Sequence, residues 1–593
     1  MIKNKFSSRA FSLKKAAIVS ISLMSMVSVS SFAEQPKRIN PQKETAIYSR
    51  FAIHHPIWSE NGMVASQEAL ATQVGVDILK QGGNAVDAAV AVGYALAVTL
   101  PRAGNIGGGG FMLVYLADEK RTIAIDYREM APNKAHRDMY LDEEGNANAR
   151  LSRFHGLAVG IPGTVMGMQH ALKKYGTMST KQVIEPAIKL ARDGIKVSPD
   201  LANSLAAMNR RLSHWPSTQA IFYKSDGGNY LPGEMLFQKS LAQSLERIKK
   251  HGTKGFYHGE TAEKISAAVI EAGGIMTVDD LANYKVVERK PVTGTYRGYE
   301  VVSMPPPSSG GVHIVQMLNA LEQFPIKEMG HNSADTVHVM TEVMRRAYAD
   351  RSHYLGDPDF HKVPMAALGS KTYGREIAAQ IDMKKATPSS EVSPAKKLPY
   401  ESNETTHYSV VDKWGNAVSN TYTLNFSYGA GLVAKGTGIL LNNEMDDFSA
   451  KPGTPNGFGL LGGEANSVQP YKRPLSSMTP TIVLKDGKAH LVTGSPGGSR
   501  IITTTLQLIM NVLDHEMNIA TASAMPRFHH QWWPDELRIE EGFSKDTLDL
   551  LKAKGHTIKL KSSMGSTQTI MPTDNGVYGA SDPRRPAALS KGH

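Results

Sequence analysis

Two adjacent threonines, Thr405 and Thr406, stand where a Lys-, Ser- and Pro-rich run ends and a hydrophobic β pattern begins. A threonine hydroxyl is a poor nucleophile unless a base stands beside it. Scission of the peptide bond before Thr405 would supply that base on the same residue. A freed α-amine has a reference pKa of ~7.7–8.0, suited to general-base work near neutrality. The chemistry this points to is acyl transfer through an ester on Thr405. The same two residues would also serve as ordinary strand threonines, so the elements around them have to decide.

Residues 405–411 and 417–425 read as extended segments joined by Asp412-Lys413-Trp414-Gly415-Asn416, a hairpin turn. If Val411 pairs with Ala417, Thr405 falls opposite Thr423, whose hydroxyl would orient it. A slip of one residue would turn Thr423 to the other face. Further strands are expected at 438–442, 480–485 and 490–493. Gly494-Ser495-Pro496-Gly497-Gly498-Ser499-Arg500 then leads into a helix over 501–512. Strand, glycine turn and helix start together aim unpaired N–H groups at one point, an anion or oxyanion site.

Upstream, a helix over 66–81 stops at Gly82-Gly83, and Asn84 with Asp87 starts another over 85–99. The glycines of Gly104-Asn105-Ile106-Gly107-Gly108-Gly109-Gly110 precede a strand and lack a following Gly-Lys-Ser/Thr. That excludes a P-loop and a dinucleotide fingerprint, leaving close backbone packing in a sheet. Residues 160–290 read as mostly helical, and 333–353 carry an apolar stripe that reads as core. Residues 384–404, with Pro388, Pro394 and Pro399 among serines and lysines, have the composition of an exposed, flexible linker. His529-His530 suggest a metal site, but adjacent histidines on a regular element diverge and no further ligand spacing accompanies them. Packing or hydrogen bonding is the reading adopted.

The chain has 593 residues, no cysteine and a formal charge of +11. Five basic residues and no acid lie within residues 1–33, so removing that segment leaves +6. So mild an excess, without a basic stripe, argues against a nucleic-acid partner. Residues 1–33 read as an export signal: a basic start ending at Lys15, an apolar run over 16–29, and Ser31-Phe32-Ala33 before the cut. No stable membrane span is expected after its removal. Without cysteine there is no thiol nucleophile, thiolate metal site or disulfide framework.

Four motifs then resemble one family. Thr405–Asp412, Leu441-Asn442-Asn443-Glu444-Met445-Asp446-Asp447-Phe448-Ser449, Arg473-Pro474-Leu475-Ser476-Ser477-Met478 and Pro496-Gly497-Gly498-Ser499-Arg500 are similar to bacterial γ-glutamyltranspeptidases. The resemblance extends upstream through 105–113 and Tyr127-Arg128-Glu129-Met130-Ala131-Pro132. It implies an α+β fold of the N-terminal-nucleophile hydrolase type, a four-layer αββα sandwich with no cofactor. It implies self-cleavage between Glu404 and Thr405, giving intertwined large (34–404) and small (405–593) subunits of one heterodimer. By the same resemblance Arg128, Ser476 and Ser477 would bind the α-carboxylate of a γ-glutamyl substrate such as glutathione. Asn425, Glu444 and Asp447 would receive its α-ammonium, Thr423 would support the nucleophile, and Gly497 and Gly498 would form the oxyanion hole. Amino acids or peptides would act as acceptors in competition with water.

Two positions depart from the family pattern. Phe458 stands in the lid segment 452–463 where bacterial members often carry tyrosine; a phenyl ring covers a pocket but offers no hydroxyl latch. Glu404 stands before the scissile bond where relatives often have glutamine. Two other readings remain open at this level: a glutaryl- or cephalosporin-type acylase of the same fold, and a periplasmic solute-binding protein.

Overall fold

The computed structural model describes residues 52–392 and 405–593. The export-signal segment, Glu404 and the last part of the expected linker lie outside the described residues.

Two seven-stranded antiparallel sheets form the centre. One runs in the order Leu589–Gly592, Met63–Ser66, Thr406–Val411, Ala417–Thr423, Gly109–Leu116, Arg121–Tyr127, Val287–Arg289. The other runs Ile57–Ser59, Gly576–Ser581, Gln568–Thr573, Lys488–Thr493, Thr481–Lys485, Tyr299–Ser303, Val292–Tyr296. Side chains alternate between faces along a strand, so each strand contributes to two cores. Phe111, Leu113, Val411 and Ala417 meet Val302, Ile482 and Val492 between the sheets. Met112, Val114, Val410 and Val418 point the other way, onto Ala85–Thr99 and its neighbouring helices. Val301, Val483 and Leu491 pack outward on Gly310–Leu321, Ala334–Tyr354 and Arg500–Leu513. The result is the expected αββα stack.

Local signals explain the elements nearest the threonines. Ala85–Thr99 starts with a capping box: Asn84 accepts from Val86 and Asp87 N–H, and Asp87 accepts from Asn84 N–H. Its Ala85 N–H also donates to Asp412 Oδ2 at 2.9 Å, tying the helix start to the hairpin turn. The apolar run over 85–99 is buried on all sides, and no helix among the described residues is long and apolar enough to cross a membrane. The preceding helix is shorter than expected, Ala69–Lys80, because Ser66 belongs to a strand and the Glu68 carboxylate caps Ala71 N–H.

The expected linker is a partial correction. Its first part, through residue 392, is anchored at Ala386 and Ser389, while Lys384, Lys385, Ser390 and Glu391 stay exposed. Ser389 is fully buried, donates from Oγ to Trp532 O (2.6 Å) and from N to Asp535 Oδ2 (2.8 Å), and accepts Trp532 Nε1 on its carbonyl. Composition misleads here because a serine that makes three fixed hydrogen bonds behaves as a bolt, not as a spacer.

Candidate active site

The hairpin register is the expected one. Val411 pairs with Ala417 and Thr406 with Tyr422, which sets Thr405 beside Thr423. Odd-numbered residues from 405 to 411 face the gap between the sheets, so Thr405 stands at the end of the inter-sheet layer. Thr405 Oγ1 lies 3.4 Å from Thr423 Oγ1, and Thr423 Oγ1 also accepts Asn425 N–H at 2.8 Å. Polar groups continue along this face. His407 bonds Thr421 and Ser409, and Ser409 reaches across to Gln568 O at 2.9 Å. Burial pushes the His407 imidazole down to about 3, so it stays neutral and serves as a bridge.

The glycine run places this hairpin. A Cβ on Gly108 would lie 2.0 Å from Thr423 O, so only glycine lets the two backbones meet. Asn105 Nδ2 donates to the same carbonyl at 2.9 Å, and its Oδ1 accepts Gly108 N–H. Backbone packing, the expectation for this stretch, is therefore its role.

A small cavity opens beside Thr405, lined among others by Arg128, Asn425, Glu444, Asp447, Ser476, Ser477 and Gly498. These side chains come from distant parts of the chain. Arg128 follows the strand Arg121–Tyr127, while Glu444 and Asp447 lie on the 3₁₀ turn Glu444–Asp447. The Arg128 guanidinium pairs Nη1 with Glu444 and Nη2 with Asp447 Oδ2 at 2.5 Å, and its Nε donates to Pro474 O. The alternatives of a surface arginine and a solvated Asp446-Asp447 turn are excluded, since all of these groups are buried. Asp446 points away from the cavity, to Ser152 and Arg153.

Ser476 and Ser477 sit on the loop after Pro474. Ser309 donates its N–H and its hydroxyl to Ser476 O, both at 2.8 Å, which fixes the loop. Ser477 Oγ is buried without a partner among the described residues. On the far side, Gly497 (φ +133°) and Gly498 (φ +54°) form the turn into the helix Arg500–Leu513. Neither N–H donates to another described residue. A Cβ on Gly498 would strike the Phe458 ring at 2.4 Å, so glycine is needed for both space and conformation.

Residues 452–463, the expected lid, place Phe458 against the cavity without a phenolic hydroxyl. Gly457 N–H donates to Asp446, Gln531 Nε2 donates to Phe458 O, and the Phe458 ring stands edge-on to Phe426 at 5.4 Å. His529 and His530 are hydrogen-bonded side chains, to Thr503 and Gln531 and to Asp535 respectively.

Sequence reasoning gave no role to Glu129 or Arg351. Glu129 is fully buried, 3.8 Å from Arg128 Nη1, and neither carboxylate oxygen has a hydrogen-bond partner among the described residues. Burial pushes its carboxyl up to about 7 against the pull of Arg128. Glu444 and Asp447 are also raised, again by burial first. A carboxyl whose folded-state pKa exceeds its unfolded value binds more protons when folded. That group therefore subtracts stability as pH rises from about 4.5 to about 7 and subtracts nothing further above it. Glu129→Gln is expected to flatten this part of the stability profile in scanning calorimetry between pH 5 and 8. An unchanged slope would mean that Glu129 is ionised throughout.

Comparison with known proteins agrees with this geometry. The family described as gamma-glutamyltranspeptidase matches residues 71–591. The glutathione hydrolase proenzyme of Escherichia coli strain K12 is 60% identical over 543 residues, 91% of this chain and 93% of that protein. Among solved structures, cephalosporin acylase from Bacillus halodurans superposes with a TM-score of 0.81 at 27% identity, covering 93% of this chain and 99% of that one. Helicobacter pylori gamma-glutamyltranspeptidase matches at 45% identity with a TM-score of 0.56, covering 58% of this chain and 97% of that one. A nucleophile candidate between two stacked sheets and a family match across most of the sequence lead to one conclusion: the chain is an enzyme of the gamma-glutamyltranspeptidase family.

Proposed function

We propose that this chain is a self-processing precursor whose Thr405 carries γ-glutamyl groups from amides such as glutathione to water or to the amines of amino acids and peptides. The observation that carries the reading is the pairing of Arg128 with Glu444 and Asp447 in the cavity beside Thr405. A ligand that displaces this pairing has to offer a carboxylate to Arg128 and a cation to the two acids. A γ-glutamyl group does both at one carbon. Leaving a buried charge without its partner costs ~3–5 kcal/mol, so a glutaryl group, which has no ammonium, is a poor occupant. The acylase reading is disfavoured on that ground.

Processing begins when Thr405 Oγ attacks the Glu404 carbonyl carbon. The acyl group shifts from nitrogen to oxygen, and water hydrolyses the ester. Glu404 then ends residues 34–404, and Thr405 begins residues 405–593 with a free α-amine. Both pieces remain as one heterodimer, because each contributes strands to both sheets.

In turnover the α-amine takes the hydroxyl proton as Oγ attacks the γ-carbonyl. Gly497 and Gly498 N–H groups meet the oxyanion, where one donor in comparable enzymes is worth ~2.7–4 kcal/mol. The protonated α-amine then returns its proton to the departing amine. Water or an acceptor amine attacks the ester and restores Thr405. Arg128, Ser476 and Ser477 hold the α-carboxylate, with Arg128 as the bidentate fork. Glu444, Asp447 and Asn425 take the ammonium, and Thr423 orients the nucleophile. Residues 1–33 direct export to the periplasm.

The test is N-terminal sequencing of the smaller fragment together with side-by-side turnover of γ-glutamyl and glutaryl anilides. A fragment that begins elsewhere than Thr405, or preference for the glutaryl donor, overturns the reading. For the lid, Phe458→Ala is expected to raise KM about tenfold with a smaller change in kcat, since the ring gives cover rather than a transition-state contact. Steady-state kinetics on the γ-glutamyl anilide read this out, and an equal fall in kcat would assign the ring to the chemistry.

A further inference from the structure

The resting cavity holds two guanidinium groups of unlike status. Arg128 is committed to Glu444 and Asp447. Arg351, in the last turn of the helix Ala334–Tyr354, lines the same cavity and is only 4% exposed. Its Nε donates to Ser309 Oγ at 3.0 Å, and no carboxylate pairs with it among the described residues. Its Nη1 and Nη2 have no hydrogen-bond partner among the described residues, yet they are not among the sealed, unsatisfied atoms of the interior. They therefore face the cavity. A buried guanidinium without a counter-charge is unfavourable by several kcal/mol, and a site that keeps one is built for an anion.

Its position says which anion. Ser309, the partner of Arg351 Nε, is the residue that fixes the Ser476 carbonyl through two hydrogen bonds. Arg351 thus stands behind the Ser476-Ser477 loop, close enough to feel the charges of both Asp447 and Arg128. Ser476 and Ser477 are the residues given above to the donor's α-carboxylate, so Arg351 stands at that end of the cavity. The fork of Arg128 has to exchange two carboxylates for one before it binds substrate, whereas Arg351 has nothing to exchange.

We propose that Arg351 is a second carboxylate-recognising residue of the donor site, a specificity determinant that pairs with the donor's α-carboxylate together with Arg128. This rests on the γ-glutamyl reading of the site. Charge supports it. Glu129, Glu444 and Asp447 confront Arg128 and Arg351, and a zwitterionic donor leaves that balance unchanged while giving each guanidinium an acid and each freed acid an ammonium.

The experiment uses the processed enzyme and three anilide donors with the same leaving group: γ-glutamyl, glutaryl, which keeps the carboxylate and lacks the amine, and 4-aminobutyryl, which keeps the amine and lacks the carboxylate. Arg351→Met is expected to lose about 100-fold in kcat/KM on both carboxylate donors, mostly in KM, and less than about threefold on the 4-aminobutyryl donor. Arg351→Lys, which keeps the charge without the fork, should recover about tenfold of that loss. Equal losses on all three donors would make Arg351 a brace for the Ser476 loop and overturn the proposal, as would no loss. If the methionine variant fails to fold, the donor ratios of the lysine and glutamine variants decide by the same criterion. Failure of the underlying reading is separately visible, since the unaltered enzyme would then not turn over the γ-glutamyl donor.

Discussion

Thr405→Ala is expected to give a folded chain of uncut length whose γ-glutamyl anilide turnover is at least ~10⁴-fold below the parent enzyme. On the proposed mechanism the hydroxyl is needed twice, first to attack the Glu404 carbonyl and then to carry the acyl group. Removing it stops both steps at their first bond. The variant should nevertheless fold. The Thr405–Thr423 contact, at 3.4 Å, is longer than a strong hydroxyl hydrogen bond, so its loss removes at most ~1 kcal/mol. The strand beyond it, Thr406–Val411, pairs along its length with Ala417–Thr423 and through Ser409–Val411 with Met63–Ser66. Denaturing electrophoresis and thermal melting check this together. Two fragments from the alanine variant would place the scission under another residue's control. Thr405→Ser keeps the hydroxyl and should process and turn over, more slowly, because serine lacks the methyl that fixes the rotamer.

How much of this could be read from the chain depends on the distance between partners. The capping box at Asn84, the hairpin 405–423 and the strand–turn–helix at Gly497 are set by residues within 18 positions of each other, and their spacing carried them. The register followed from one pairing, Val411 with Ala417. The four-layer stack came from family resemblance, although alternation along strands such as Gly109–Leu116 is its physical basis. What stayed hidden was long-range. Glu444 and Asp447 lie more than 300 positions from Arg128, and their resting pairing with it has no local signature. Arg351 carries no local signal of a role, and Ser389 fell within the expected linker. One helix explains three of these contacts. Its residues at successive third positions, Arg345, Tyr348 and Arg351, reach Ser389, the Ser499 carbonyl and Ser309 respectively. Ser389, the turn at Gly497-Gly498 and the loop at Ser476 are thereby referenced to a single helix.

Arg128→Leu is expected to lower kcat/KM on the γ-glutamyl donor by at least ~10³-fold and to destabilise the protein by ~3–5 kcal/mol near neutral pH. Both effects come from one group. In turnover the variant lacks the fork for the α-carboxylate. In the resting fold it leaves Glu129, Glu444 and Asp447 together without the cation that pairs with them. The second effect carries a sign that the first does not. Burial already holds all three carboxyls above their ordinary range, and loss of Arg128 raises them further. Their protonation removes the uncompensated charge, so the gap in Tm between variant and parent should narrow as pH falls from about 8 to about 5. Arg128→Lys restores one charge but not two divergent N–H pairs, and should fall between the two in both kinetics and Tm. Calorimetry across that range is decisive. A gap of constant size would mean that lost packing, not charge, explains the damage, and the resting ion cluster would then have no claim to define what the site accepts.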